Sequence, residues 1–147
     1  MPSKNYLICA LLVFLVAVTG SDLFARMTIG GQSLEDAAGT HLQWAVVTIP
    51  GILFLCAPFA GIALVCGRAS RRTRLRGINM LFCISVAVLA CFYFAGFQAA
   101  QHGSMEDGWP AATPWFGPLP FFIGIPILAV VAIVAAVLAR ADPRRAK

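Results

Sequence analysis

Charged residues are scarce in this chain. Only 12% of its 147 residues are Asp, Glu, Lys or Arg, about half the share that is usual in soluble domains. Hydrophobic residues make up 60%, and the mean hydropathy is +0.84. This composition excludes an ordinary soluble domain and indicates a membrane protein.

Known catalytic patterns are also missing. The chain has no Gly-rich phosphate loop, no Ser/His/Asp arrangement, no H-E-x-x-H and no Cys-x-x-Cys. No acidic residue falls in the middle of an apolar run, where a proton-coupled carrier needs one. We therefore predict no catalytic residue, no cofactor-binding residue and no cofactor. An enzyme stays an alternative, but a non-enzymatic protein is the expectation.

Cysteines are absent from both predicted outer loops, 27–43 and 101–114. The five that occur lie within or at the ends of apolar runs, where a thiol behaves as a small hydrophobic group; they are Cys9, Cys56, Cys66, Cys83 and Cys91. The sequence therefore implies no disulfide framework.

Basic residues are concentrated in the short segment 67–76, between two apolar runs. Short loops rich in Lys and Arg stay on the cytoplasmic side of a membrane. Ten of the eleven Lys and Arg residues then fall on that side, together with both termini. Topology explains the net charge of +5 without a nucleic-acid partner. The loop arginines are candidate contacts for lipid headgroups or an acidic partner: Arg68, Arg71, Arg72, Arg74 and Arg76.

Four apolar runs are long enough to cross the roughly 30 Å of a bilayer core: residues 6–25, 44–66, 78–100 and 115–139. We predict an all-α, polytopic membrane protein, with residues 1–147 forming a single membrane domain in the bacterial inner membrane. A cleaved signal peptide over residues 1–20 is the alternative for the first run. Prolines crowd the start of the fourth run, which predicts an irregular or kinked outer half.

Two features of the spans concern packing. Asp22 and Arg26 are four residues apart near the outer end of the first span, which favours a partly screened interfacial ion pair; a buried carboxylate with a transport role is the alternative. Small residues recur at every fourth position of the third span, and such a row lets helices approach closely. We therefore expect this row to be the central packing face: Cys83, Ala87, Cys91, Ala95 and Ala99.

The two halves of the chain resemble each other. Residues 5–9, N-Y-L-I-C, return as N-M-L-F-C at 79–83, and S-L-E-D at 33–36 returns as S-M-E-D at 104–107. Trp44 and Trp115 each follow the second motif by eight residues. We therefore predict two tandem helical hairpins, pseudo-repeats 5–72 and 79–145.

The paired S-x-E-D segments have two interpretations. Ser followed by acidic residues is typical of a capped helix start. Alternatively, carboxylates and imidazoles on the outer face form a metal site, whose candidate ligands are Glu35, Asp36, His41, His102, Glu106 and Asp107. Haem ligation by the two histidines is a further, weaker alternative.

Three functions remain open. The leading hypothesis is a non-enzymatic protein that binds a membrane-protein partner or a second copy of itself, as an accessory subunit or an immunity-type protector. The alternatives are an oligomeric transporter or channel protomer, and a metal-binding protein or enzyme that uses the outer loops.

The predicted topology is tested by cysteine labelling in intact cells, in a background without native cysteines. Single cysteines at Ser33 and Ser104 are expected to react with an impermeant maleimide, whereas one at Ser70 is expected to stay unlabelled because its loop is cytoplasmic. Labelling at Ser70 would overturn the topology.

Overall fold

The computed structural model describes residues 3–72, 76–107 and 119–141, and every regular element within these ranges is helical. This confirms the all-α prediction for the part of the chain that the structure describes. The elements are α1 (Ser3–Thr28), α2 (Leu34–Val47), α3 (Ile49–Arg72), α4 (Arg76–Asp107), a π-helical turn (Leu119–Gly124) and α5 (Ile125–Arg140).

Four of the helices are long and apolar enough to cross a membrane, as the sequence predicts. The candidate spans are Lys4–Thr28, Ile49–Arg71, Arg76–His102 and Phe122–Arg140, and the shortest has 19 residues. At 1.5 Å per residue, each is close to or longer than the thickness of a bilayer core.

The predicted loop 27–43 is largely wrong, because much of it belongs to α2. Ser33 caps this helix by accepting a hydrogen bond from the backbone N–H of Asp36, at 3.2 Å. The helix ends at Val47 with Thr48 as its C-cap, and α3 begins at Ile49. Trp44 therefore lies on α2 and not at the start of the second span. The sequence hid this break because apolar residues continue across it, and because Pro50 is tolerated in the first turn of a helix.

Large side chains fill the centre of the bundle. Phe59 on α3 lies between Phe14 of α1 and Tyr93 of α4, with ring centroids 5.5 and 5.2 Å away. The Tyr93 hydroxyl donates a hydrogen bond to the Leu55 carbonyl at 2.8 Å. This bond satisfies a polar group that apolar surroundings would otherwise penalise. Helices α1, α3 and α4 therefore share one core, against which α5 packs.

Opposite charges lie at opposite ends of the bundle. Tyr6 at the start of α1 donates its hydroxyl proton to Asn79 at the start of α4, and Gly77 lies beside Leu138 near the end of α5. We name this the basic end, and its exposed cations are Lys4, Arg68, Arg71, Arg76 and Arg140. The other end, which we name the acidic end, carries Asp22, Glu35 and Asp36. The side of the membrane on which each end lies stays a prediction.

The row of small residues on α4 is not the packing face of the bundle, so this expectation is wrong. Its members are exposed: Cys83, Ala87, Cys91, Ala95 and Ala99. The buried side of α4 carries Ile78, Phe82, Leu89, Tyr93 and Phe97 instead. Larger side chains make more contacts in a packed core, and within one chain these contacts decide which face of α4 turns inward.

The fourth span has the irregular start that its prolines predict. The π-helical turn Leu119–Gly124 precedes α5, and Pro126 lies in the first turn of that helix. The second S-x-E-D segment lies within α4, which extends to Asp107, so the predicted loop 101–114 is wrong over residues 101–107. Its side chains and residues 108–118, with Trp115, lie outside the described part.

The two faces of α4 predict opposite effects of substitution. Leu89 is fully buried, so Leu89→Ala is expected to lower the free energy of unfolding by about 2–5 kcal/mol. Ala87→Leu is expected to leave it unchanged in a detergent that keeps the protein monomeric, because Ala87 faces outward. Denaturant unfolding followed by circular dichroism measures both. A comparable loss in the two variants would contradict the orientation of α4.

Candidate functional site

A buried charge cluster lies at the acidic end, where α2 folds back on α1. Asp22 is 2% exposed and Arg26 is 7% exposed. One carboxylate oxygen of Asp22, Oδ2, accepts a hydrogen bond from Arg26 Nε at 2.7 Å and lies 2.9 Å from His41 Nδ1. The predicted ion pair is therefore present, but the prediction that it is partly screened by solvent is wrong. The pair is buried, and His41 is a third member. We name these three residues the charge cluster.

The chain between α1 and α2 positions His41 over Asp22. Gly31 has a φ of +63°, a left-handed conformation that favours glycine. Gly30 lies so close to α4 that a Cβ atom there would be 3.2 Å from Gln101 Nε2. These two glycines allow a tight reversal after α1, and α2 then returns along the bundle.

Helix α2 is held by one face. Ala37 is fully buried, and His41 and Trp44 follow it at helical spacing. The Trp44 ring lies 5.5 Å from the His41 ring and makes an edge contact with Phe97 of α4 at 6.1 Å. The charge cluster and this aromatic contact therefore fasten α2 to both α1 and α4.

More polar groups surround the charge cluster. Gln98 of α4 donates a hydrogen bond to the Ser21 carbonyl at 3.3 Å, and the Ser21 hydroxyl donates to the Ala17 carbonyl. Gln101 is also buried nearby, against Gly30. Polar residues of α1, α2 and α4 thus meet at the acidic end, and Ser21, His41 and Gln98 form hydrogen bonds with other residues of the chain.

The candidate metal ligands do not come together in the described part of the structure. Glu35 and Asp36 are exposed in the first turn of α2, where Asp36 takes part in the Ser33 cap. His41 points instead to Asp22, and His102 is exposed on α4. Among the described residues, no three His, Cys, Asp or Glu side chains are close enough to hold a metal ion. Glu106 and Asp107 have side chains outside that part, so a joint site of both loops stays a prediction.

The outward face of α4 is a second candidate, and it borders a groove. The groove lies between α1 and α4, has a volume of about 580 Å³ and shares Cys91 with the row of small residues. Its small side chains come from both helices: Ala17, Gly20 and Ser21 from α1, and Ala90 and Cys91 from α4. Phe24 and Phe94 flank it, with ring centroids 5.6 Å apart. The row and the groove form one continuous surface, which we name the α4 face.

No protein-family model, curated protein or solved structure matches this chain. The two candidate sites therefore rest on their residues and their geometry.

Sequence reasoning found the Asp22 and Arg26 pair but missed His41 as their partner. The i,i+4 spacing reveals two groups on one helix face, whereas the third group comes from a helix that was expected to be a loop. A period of three to four residues in Ala37, His41 and Trp44 was the available signal.

The charge cluster predicts a non-additive pair of substitutions. Asp22→Asn leaves the buried Arg26 without its carboxylate and is expected to cost about 3 kcal/mol or more of unfolding free energy. Arg26→Gln is expected to cost less, because Asp22 keeps His41 as a partner. The double variant is expected to lose clearly less than the sum, because neither charge remains. Unfolding in detergent measures all three, and exposed Gln43→Ala is the neutral control. Additive losses would contradict a direct, buried interaction.

Proposed function

We propose that this chain is an inner-membrane protein, with both termini in the cytoplasm, that acts by binding another membrane protein or a second copy of itself through the α4 face. It then works as an accessory subunit or an immunity-type protector, without catalysis. One observation carries the proposal: small side chains occupy every fourth outward position of α4 over residues 83–99.

Size distinguishes this face from a surface that meets only lipid. The outward positions of α1 away from the groove carry large side chains, such as Leu11, Leu12 and Leu15. Lipid tails are as apolar as leucine, so contact with lipid does not favour small side chains over large apolar ones. Rows of small residues instead let the backbone of another helix approach closely. The α4 face therefore fits a helix better than it fits lipid tails.

The spacing of the row also suggests how the partner helix lies. Residues four apart form a ridge or groove that is inclined to the helix axis. A helix packed along such a row crosses at about −40° to −50°. The adjoining groove extends this surface toward α1, where the short side chains of Ala17 and Gly20 leave space for a partner helix.

The predicted tandem hairpins are compatible with an interface on α4. α1 and α4 both start at the basic end with the repeated Asn motif, and α3 and α5 both return to that end. On this account α1 and α4 are equivalent members of the two repeats. Of these two helices, only α4 has a complete outward row of small residues, so we assign the partner contact to α4.

A transporter or channel protomer is the second candidate, and the burial of the charge cluster favours it. Ionisable side chains inside candidate spans often mark a route for ions or protons. Asp22, Arg26 and His41 satisfy one another, however, so a route needs further residues from a neighbouring protomer. The α4 face serves this alternative as the contact between protomers.

Site-specific photo-crosslinking in native membranes tests the proposal. A diazirine amino acid at Ala87 is expected to give one discrete protein adduct, and Ala95→Leu is expected to abolish it because added bulk separates the helices. Val88→Leu, on the outward side but off the row, is expected to keep the adduct.

The matched control places the same amino acid at Leu15, on the outward side of α1, where only lipid adducts are expected. Identical products from Leu15 and Ala87, or an adduct that survives Ala95→Leu, would contradict the proposed interface.

A further inference from the structure

A second groove lies between α3 and α5 at the basic end. It has a volume of about 200 Å³ and is lined by Val65, Arg68, Ala69, Ala132, Ala135, Ala136 and Ala139. Alanines at helical spacing on α5 make one wall, so the space exists because these side chains are short. Arg68 is the charged residue of the lining.

Arg68 is exposed and forms no ion pair with any acidic residue in the described part of the chain. Other cations border the same place: Arg71 follows one turn later on α3, and Arg140 follows Ala139 of the groove. The described acidic side chains lie at the opposite end of the bundle. Among the described residues, an anion that meets Arg68 therefore finds only positive charge around it.

From this arrangement we propose that the groove binds one anionic phospholipid, with its phosphate on Arg68 and the first part of an acyl chain along the alanine wall. Guanidinium groups bind phosphate oxygens by paired, charge-assisted hydrogen bonds. Basic sites between spanning helices at the membrane surface suit anionic headgroups. A zwitterionic lipid fits less well, because its cationic group meets the neighbouring arginines.

The contrast with the other grooves supports this choice of ligand. The groove on the α4 face has no charged side chain in its lining, and neither has the groove between α4 and α5 that includes Ser85 and Pro126. Neither of those two grooves has a charged side chain that could bind a lipid phosphate. Of these three grooves, the one at the basic end alone combines an apolar trench with a cation.

Native mass spectrometry of the delipidated protein in detergent tests the proposal, with phosphatidylglycerol and phosphatidylcholine of the same acyl chains as the probes. The anionic lipid is expected to bind about tenfold more tightly. Arg68→Gln is expected to remove this preference, and Arg68→Lys to retain part of it. Ala136→Leu is expected to weaken the binding of both lipids because it fills the trench.

Two control variants separate this site from general effects of charge and bulk. Arg76→Gln removes an exposed arginine from the same end, and Ala129→Leu adds bulk to α5 outside the lining; both are expected to bind as the unchanged protein does. Circular dichroism checks the fold of every variant. Equal affinity for the two lipids, or equal losses in Arg68→Gln and Arg76→Gln, would overturn the proposal. Displacement of the lipid by an equal concentration of glycerol phosphate would also overturn it, because the trench then contributes nothing.

Discussion

A helix that crosses a bilayer has to satisfy its polar groups within the protein, and this bundle contains hydrogen bonds of that kind between its helices. At the acidic end, Asp22 binds Arg26 and His41. At the centre, Tyr93 of α4 donates to the Leu55 carbonyl of α3, and at the basic end Tyr6 donates to Asn79. These bonds join different helices at three depths. They fix which sides of α1, α3 and α4 face one another.

That arrangement leaves an unusual division of side chains on α4. Its inward side carries aromatic and aliphatic residues, and its outward side carries the row of small ones beside larger exposed residues such as Ile84 and Phe92. Packing within one chain uses the large residues, since dispersion contacts are the main attraction between helices in lipid. The small residues are then available for a second, closer contact that the single chain does not make. The proposed function, binding a membrane partner, rests on this division.

The two ends of the bundle have different roles in this account. The charge cluster holds α2 against α1, and Trp44 of α2 contacts Phe97 of α4. The cluster thus shapes the acidic end without offering an open ligand site. The basic end keeps exposed arginines, and Arg68 lies at a trench between α3 and α5. One surface is thus suited to a protein helix and another to a charged lipid, and they lie on different helix pairs.

The sequence predicts the coarse architecture well, because hydropathy averaged over about 20 residues tolerates errors at single positions. The four candidate spans and the separation of charge are both found in the structure. It is harder to predict from the sequence which face of each helix turns toward the core. A four-residue period in Cys83, Ala87 and Cys91 identifies a face, but which neighbour that face meets depends on the other helices. For the same reason the spacing of Asp22 and Arg26 revealed their pairing and not their burial, which needs α2 as a cover.

Carbene footprinting of α4 in native membranes, with a diazirine dissolved in the lipid phase, tests the central claim most directly. The outward side chains of the α4 row are expected to be protected at a period of four residues, while Leu12 and Leu15 on α1, which lie outside the groove, are labelled strongly. Labelling of Ala87, Cys91 and Ala95 as strong as that of Leu15 would show that lipid alone covers the α4 face, and would contradict the account.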